Sequence, residues 1–128
     1  MSELRKKTVA VIGASADRSK FGNKCVRAYS RQGWEVYPVN PKGGEIEGFK
    51  AYRSLSEVRV RLDRISLYLP PVAGLASLPA IAAARPAEFF VNPGAESDEL
   101  VTEAKRLGLD PILACSIVAL GVSPGMFP

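Results

Sequence analysis

Short apolar runs alternate with stretches of helical character along most of the chain. The apolar runs are rich in β-branched and aromatic residues and occupy positions 8–12, 35–39, 64–69, 88–91 and 111–114. Helices are predicted over residues 22–32, within 72–84 and from Ser97 to Gly108, where apolar spacing or capping residues favour them. Strands that alternate with helices indicate an α/β domain with a mainly parallel, doubly wound sheet of about five strands.

Prolines and polar residues interrupt this pattern at three places. Pro38 lies within the second apolar run and predicts a strand end or an unpaired amide, because proline has no backbone N–H to donate. Pro79 predicts a kink, or the start of a new turn, in the second helix. Residues 45–60 show no clear period and are predicted to be irregular, with one helical turn near 54–58.

The composition bounds both the size of the domain and its chemistry. The chain has 128 residues, of which 47% are apolar, so we expect a single domain over residues 1–128 with a substantial core. It contains no histidine, which excludes phosphohistidine intermediates, Ser-His triads and imidazole metal sites. Its two cysteines, Cys25 and Cys115, are too distant in sequence for a zinc-finger or CxxC motif. We therefore expect no metal site.

The charge is modestly basic and scattered. The net charge is +4, and the densest basic groups are residues 5–7 and residues 59–64. This distribution does not predict a nucleic-acid surface, but it suits a small anionic ligand. The chain has no run of about 18 apolar residues, and the apolar run near its amino terminus is too short for a signal peptide. We expect a cytoplasmic protein that does not enter membranes.

The loop after the first strand is the most informative segment. Gly13 permits a tight turn, and the helix that follows offers free N–H groups and a positive dipole end to an anion. Ser15 and Lys20 add a hydroxyl and a positive charge, and Gly22 would let a ligand approach the helix start. Neither the GxGxxG nor the Walker pattern is present, because Ser15 stands where GxGxxG has its second glycine. The alternative is an ordinary strand–helix turn with solvated side chains.

The loop after the second strand indicates which class of nucleotide the domain binds. Sites for NAD usually carry Asp or Glu at this point to bind the ribose hydroxyls, whereas this chain has Asn40, Pro41 and Lys42. A lysine favours a ribose that carries a phosphate, as in NADP or coenzyme A, although it could also be a solvated loop residue. The next two strands end in residues 70–71 and 92–94, so all four loops fall on one rim.

Several short motifs together resemble a known family. The chain contains, in this order, VAVIGAS, KFG, GWEVYPVNPKGGEIEGFKAYRSLSEV, LPP and FFVNPGAES. This combination resembles the small stand-alone CoA-binding domain proteins, which are similar to the N-terminal CoA-binding domain of the succinyl-CoA synthetase α subunit. The resemblance extends from about Thr8 to Cys115. It implies a Rossmann-like three-layer domain, for which we predict the strand order 3-2-1-4-5.

The resemblance also implies which residues bind coenzyme A, in four groups that follow four strand ends. The pyrophosphate would lie beside Gly13, Ala14, Ser15, Lys20, Phe21 and Gly22. The adenosine would lie beside Val39, Asn40, Pro41 and Lys42, with Lys42 near the 3′-phosphate. The adenine side would be lined by Leu69, Pro70 and Pro71. The pantetheine arm would be bordered by Asn92, Pro93 and Gly94.

The absence of histidine limits the function that the resemblance implies. The synthetase has its catalytic histidine in another domain, which this chain lacks. We therefore predict non-catalytic binding of coenzyme A or an acyl-CoA, with no catalytic residue. Two alternatives stay open: an NADP-dependent oxidoreductase fragment or subunit, and a regulatory module that acts through a protein partner or a homodimer. A domain that has lost its ligand is a further alternative.

Cys115 follows the last predicted strand and has two interpretations. It is a small buried apolar residue, or a thiol on the rim that forms a mixed disulfide with the thiol of coenzyme A. No basic residue stands beside it in sequence to activate the thiol, which favours the first interpretation. Cys25 lies on the apolar face of the first helix and is predicted to be a core residue.

Overall fold

The computed structural model describes residues 5–128; residues 1–4, part of the amino-terminal segment considered above, lie outside the described range. In chain order the helices and strands are β1 (Thr8–Ile12), α1 (Phe21–Arg31), β2 (Glu35–Val39), β3 (Glu45–Ile46), β4 (Phe49–Lys50), β5 (Arg64–Leu67), α2 (Pro71–Ala84), β6 (Glu88–Val91), α3 (Asp98–Arg106) and β7 (Pro111–Leu113). Five of the strands form one sheet whose neighbours are all parallel. The predicted α/β, Rossmann-like fold is confirmed.

The order of the strands differs from the prediction. The order in the sheet is β2-β1-β5-β6-β7. The third predicted strand, β5, therefore pairs with β1 and not with β2, and the predicted order 3-2-1-4-5 is wrong. Pro38 supplies the physical reason. Its carbonyl oxygen accepts from Tyr52 on the outer side of β2, and a parallel strand directs the N–H and carbonyl of one residue to the same side. A full strand there would lack a hydrogen bond at Pro38, and β2 is instead an edge strand.

Helices cover both faces of the sheet. Helix α1 places Cys25, Val26 and Tyr29 against one face, and α2 and α3 place Leu78 and Leu100 against the other. All five residues of β1 are buried, as expected for a central parallel strand with helices on both sides. The domain therefore has three layers. Within residues 5–128, every helix is too short or too polar to cross a membrane.

The helix ends agree with the capping residues in the sequence. The Ser97 side chain accepts a hydrogen bond from the Leu100 N–H at 3.0 Å, which confirms Ser97 as the N-cap of α3. Gly33 follows α1 with a φ of 85°, the left-handed conformation that terminates helices. Helix α2 continues through Pro79 as one element, so Pro79 does not begin a new one.

Residues 45–60 contain more order than the sequence predicted. Strands β3 and β4 pair antiparallel, as a hairpin. Its two-residue turn, Glu47-Gly48, has φ values of 51° and 84°, which is the conformation of a tight hairpin turn. The prediction that this segment is irregular is therefore wrong. Sequence analysis did not find the hairpin because Glu-Gly is not one of the dipeptides that strongly indicate a hairpin turn. The helical turn predicted near 54–58 is present as a short 3-10 helix, Leu55–Glu57.

Candidate functional site

The central cleft lies at the carboxyl ends of β1 and β5. The chain passes from β1 to β2, which pairs with one side of β1, and later returns to β5, which pairs with the other side of β1. Parallel sheets bind ligands where the strand order reverses in this way. The cleft has a volume of about 380 Å³ and is lined by Gly13, Lys20, Phe21, Gly22, Tyr68, Leu69, Pro70, Pro93, Gly94 and Ala95. Eight of these ten were named in the sequence analysis.

Two further clefts adjoin the central one. An apolar slot of about 230 Å³ shares Gly13 and Leu69 with it, and also contains Val39 and Pro41. A polar pocket of about 420 Å³ shares Lys20 with it. The polar pocket also contains Ser15, Asn40 and Lys42. Together the three clefts make a continuous surface that thirteen of the sixteen predicted site residues line; Ala14, Pro71 and Asn92 line none of the three.

Close packing determines the two glycines of the first loop. A Cβ on Gly22 would lie 2.2 Å from the Gly13 carbonyl oxygen, so α1 can lie this close to the loop only with glycine at that position. Gly13 has a φ of 91°, and its own Cβ would lie 2.9 Å from the Tyr68 backbone. The sequence analysis explained Gly22 by the approach of a ligand. The structure shows that helix–loop packing already requires it.

The start of α1 presents free backbone donors to the central cleft. Among the described residues, none accepts a hydrogen bond from the N–H groups of Phe21 or Gly22. Lys20 occupies the N-cap position and provides no side-chain cap, and Phe21 and Gly22 both line the central cleft. The Ser15 hydroxyl oxygen accepts from the Asp17 N–H at 3.0 Å and keeps its own O–H free to donate. A helix N-terminus of this kind binds anions.

Asn40 joins the first loop to the second. Its Nδ2 donates to the Ala14 carbonyl oxygen at 2.8 Å, and its Oδ1 accepts from the Lys42 N–H at 2.8 Å. Ala14 itself is only 1% exposed. Both residues were predicted beside the ligand. In the structure, the Ala14 side chain lies in the core, and the Asn40 side chain fixes the position of the two loops.

Asn92 has a corresponding role beneath the cleft. It is 0% exposed, and its Nδ2 donates to Ser66 Oγ and to the Leu67 carbonyl oxygen, both at 2.9 Å. Its Oδ1 accepts from the Ser116 N–H at 2.8 Å. The side chain is therefore fully occupied within the protein. Its neighbours Pro93 and Gly94 line the cleft.

Cys25 belongs to the same buried polar cluster. Its Sγ lies 3.6 Å from Ser66 Oγ and 3.7 Å from Ser116 Oγ. Complete burial raises the pKa of the Cys25 thiol to about 11, so the thiol stays protonated near neutral pH and is not a nucleophile. Burial also raises the pKa of Tyr68. Cys115 is partly buried and packs against the core on the α1 side.

A second asparagine fixes the outer side of the first loop, and sequence analysis did not identify it. Asn23 Nδ2 donates to the Ser15 carbonyl oxygen at 2.9 Å and to Glu47 Oε2 at 3.1 Å. Arg18 Nε lies 3.4 Å from the same carboxylate oxygen. The tip of the β3–β4 hairpin is thus attached to the loop. No local signal predicted this, because it depends on a hairpin that the sequence did not reveal.

The apolar slot also contains residues that the sequence did not suggest. Leu55 belongs to the short 3-10 helix and Ser54 precedes it, Ser77 and Ala80 come from α2, and Arg53 also lines the slot. Arg53, Ser54 and Leu55 directly follow Tyr52, which forms an isolated parallel bridge with Val39 of β2. The YRSL segment gave no periodicity that predicted this contact.

The sequence matches a family model over most of its length. A family described as "CoA binding domain" matches residues 7–121. The chain belongs to this family. The resemblance found in the motifs is therefore confirmed. The family assignment concerns the CoA-binding domain as a whole and does not by itself assign roles to single residues.

Curated relatives of this CoA-binding domain are mostly much longer proteins. The α subunit of ADP-forming acetate–CoA ligase I from Pyrococcus furiosus is 43% identical over 70 residues, which cover 50% of this chain and 15% of that subunit. The uncharacterized protein YneT of Bacillus subtilis is 34% identical over 74 residues, or 54% of this chain and 55% of that protein. The chain thus matches only a small part of the ligase subunit.

Solved structures include both small proteins and a large synthetase with a similar domain. A conserved hypothetical protein from Pyrococcus furiosus superimposes with a TM-score of 0.79 at 33% identity, covering 90% of this chain and 99% of that one. A Thermus thermophilus protein gives 0.82 at 32%, covering 91% and 89%. Acetyl-coenzyme A synthetase 1 from Ca. Korarchaeum cryptofilum gives 0.73 at 29%, covering 84% of this chain and 25% of that chain.

Proposed function

We propose that this domain binds coenzyme A or an acyl-CoA across the three clefts and does not itself catalyse a reaction. The observation that carries the proposal is the continuity of these clefts at the strand-order reversal, with Gly13 common to two of them and Lys20 common to two. Coenzyme A has an apolar base, a charged phosphate region and a long flexible arm. The clefts differ in polarity in the same manner.

The pyrophosphate is proposed to lie at the start of α1. The free N–H groups of Phe21 and Gly22 and the positive end of the helix dipole would stabilise its charge there. The Lys20 ammonium and the Ser15 hydroxyl add a cation and a donor from the same loop. This arrangement requires no glycine at position 15, which accounts for the departure from the GxGxxG pattern.

The two ends of the ligand would extend from the start of α1 in different directions. Adenine would enter the apolar slot between Val39, Pro41 and Leu69, which leaves the ribose at the tip of the second loop near Lys42. The pantetheine arm would run through the central cleft past Tyr68 and Gly94. The Tyr68 phenol is uncharged near neutral pH, and burial raises its pKa further, so it adds no negative charge to this cleft.

We expect no catalytic role for this domain because of the chemistry of its side chains. The chain contains no histidine, and its fully buried Cys25 thiol is protonated near neutral pH. The ligase α subunit matched by this chain is several times longer. We infer that any chemistry on the bound CoA uses groups outside this domain, and that this domain supplies the binding site.

Calorimetric titration of coenzyme A, acetyl-CoA and NADPH tests the proposal. The protein is first unfolded and refolded, so that ligand carried through purification is removed. We expect CoA species to bind in the micromolar range or more tightly, with no heat from NADPH. Binding of NADPH in place of CoA would make the chain an oxidoreductase subunit, and heat from none of the three would refute CoA binding by the isolated chain.

Replacement of Lys42 by alanine is expected to weaken coenzyme A by about tenfold, because a charge-assisted hydrogen bond to the 3′-phosphate is lost. Dephospho-CoA, which lacks that phosphate, should lose no affinity. Titration of both ligands measures the difference. Lys105→Ala in the last turn of α3 removes the same charge far from the clefts and serves as the control. Equal losses for the two ligands would remove Lys42 from this role.

A further inference from the structure

The second loop is a compact β-turn with a fixed shape. The sequence Asn40-Pro41-Lys42-Gly43 has the residues that a type I turn favours: asparagine first, proline second and glycine last. The Gly43 N–H donates to the Asn40 carbonyl oxygen at 2.9 Å and closes the turn. Pro41 lines the apolar slot, whereas Lys42 lines the polar pocket. The turn therefore forms the ridge between these two clefts.

The chain passes this turn a second time at Tyr52. The Tyr52 N–H donates to the Pro38 carbonyl oxygen, and the Asn40 N–H donates to the Tyr52 carbonyl oxygen, both at 2.8 Å. These two bonds attach the segment to the open edge of β2. The residue that follows, Arg53, is thereby held beside the turn by backbone contacts that do not involve its own side chain.

The Arg53 side chain lies against the turn itself. A Cβ on Gly43 would stand 3.0 Å from Arg53 Nε and 3.3 Å from its Cγ, so the arginine rests where only glycine leaves room. The Arg53 side chain thus touches the residue that follows Lys42. Arg53 lines the apolar slot and Lys42 lines the polar pocket, so the two cations lie on opposite sides of the turn.

The Arg53 guanidinium has no anionic partner among the residues that the structure describes. Within residues 5–128, no carboxylate forms an ion pair with it. Glu57 Oε1 accepts instead from the Arg53 backbone N–H at 3.1 Å. An exposed guanidinium at the mouth of an otherwise apolar slot retains all of its side-chain donors for a ligand.

We infer that Arg53 determines specificity for the 3′-phosphate, as a second cation that acts with Lys42 across the 40–43 turn. This inference rests on the proposed function, since it concerns the same ligand. A ribose beside the slot would direct its phosphate to the ridge between the two cations. There the arginine fork can donate two hydrogen bonds to phosphate oxygens, whereas a lysine acts as a point charge.

The test compares coenzyme A and dephospho-CoA on Arg53→Gln, Arg53→Lys and the control Arg61→Gln. Arg61 precedes β5, at the amino ends of the strands and away from the clefts, and its loss changes the net charge equally. We expect Arg53→Gln to weaken coenzyme A by about tenfold and to leave dephospho-CoA within about twofold. Arg53→Lys should recover part of the loss, and the control should bind both ligands as the original protein does.

The outcomes separate this inference from the proposal beneath it. If the unaltered protein binds coenzyme A but Arg53→Gln loses affinity equally for both ligands, or for neither, Arg53 does not recognise the 3′-phosphate and only this inference fails. If the unaltered protein binds no CoA species, the proposed function fails and the inference fails with it. A thermal melt of each variant confirms that the fold is retained.

Discussion

Alanine at position 22 is expected to destabilise the protein by about 3 kcal/mol, which is near the upper end for overpacking. The added methyl group would lie 2.2 Å from the Gly13 carbonyl oxygen, far inside contact distance. That oxygen belongs to the backbone at the end of the buried strand β1, so it cannot turn aside as a side chain would. Either α1 moves away from the sheet or the first loop is displaced.

A second effect of Gly22→Ala has the opposite sign and is smaller. Alanine in place of glycine within a helix favours the helix by about 1 kcal/mol, and Gly22 has no positive φ that would strain it. The clash exceeds this gain, and the net result is a loss. Thermal or urea unfolding measures it, with a melting temperature lowered by roughly 10 °C or more.

Gly74→Ala is the matched control for this prediction. Gly74 is also buried within a helix, α2, but its added Cβ would meet the methyl ends of Leu100 and Leu67 at 3.0 and 3.2 Å. Side-chain ends can shift by a few tenths of an ångström, so we expect a change within about 1 kcal/mol. If the two variants unfold alike, close packing of α1 on Gly13 is not what requires glycine at position 22.

Alanine at position 92 is expected to destabilise the protein by about 3 kcal/mol, because it removes three hydrogen bonds from a fully buried site. The Ser116 N–H would lose the one acceptor that it has within residues 5–128, at a site that is closed to solvent. The hydrogen bond between Ser66 Oγ and Ser116 Oγ, at 2.6 Å, does not involve Asn92, so this part of the polar cluster is retained. The unpaired N–H and the small cavity account for most of the cost.

Asn40→Ala provides the comparison, since Asn40 and Asn92 both end a strand and both precede proline. Asn40 is only partly buried, and water can replace its bonds to Ala14 and Lys42, so its loss should destabilise by about 1 kcal/mol. Affinity for coenzyme A should fall more in Asn40→Ala than in Asn92→Ala. A larger stability loss for Asn40→Ala than for Asn92→Ala would contradict the assignment of the two roles.

Asn40 and Asn92 show which features of the site could be predicted from the sequence and which could not. The Asn-Pro motif identified two strand ends and placed both on the binding rim. It could not show that one side chain joins two loops while the other lies under the floor of the cleft. That difference depends on burial, which is set by β5 and by Ser116, a residue distant in the chain.

The fold itself was predictable as far as local signals extend. Ser97 and Gly33 located helix ends because caps act within a few residues. The strand order was not predictable in the same way, although Pro38 carried the relevant signal: a missing donor on the outer side of β2. Which side that donor faced depends on register, and register was known only once β1 and β2 were paired.

Three of the residues that sequence analysis missed share one cause. Asn23, Glu47 and Arg53 all make contacts that involve the segment between β2 and β5, which showed no period. A two-residue Glu-Gly turn and a single bridge at Tyr52 organise that segment. Neither feature has a strong sequence signature, so the contacts appear only in three dimensions.

The two side-chain attachments of the first loop have a consequence for binding kinetics. The carbonyls of Ala14 and Ser15, which are consecutive, are each held by an asparagine amide, from Asn40 on one side and Asn23 on the other. Neither peptide unit can rotate to turn its oxygen toward the cleft. The loop has already lost its conformational entropy on folding, so an arriving anion meets donors in their final orientation. If the domain binds coenzyme A as proposed, we expect diffusion of the ligand to the rim, and not closure of the loop, to limit the rate of association.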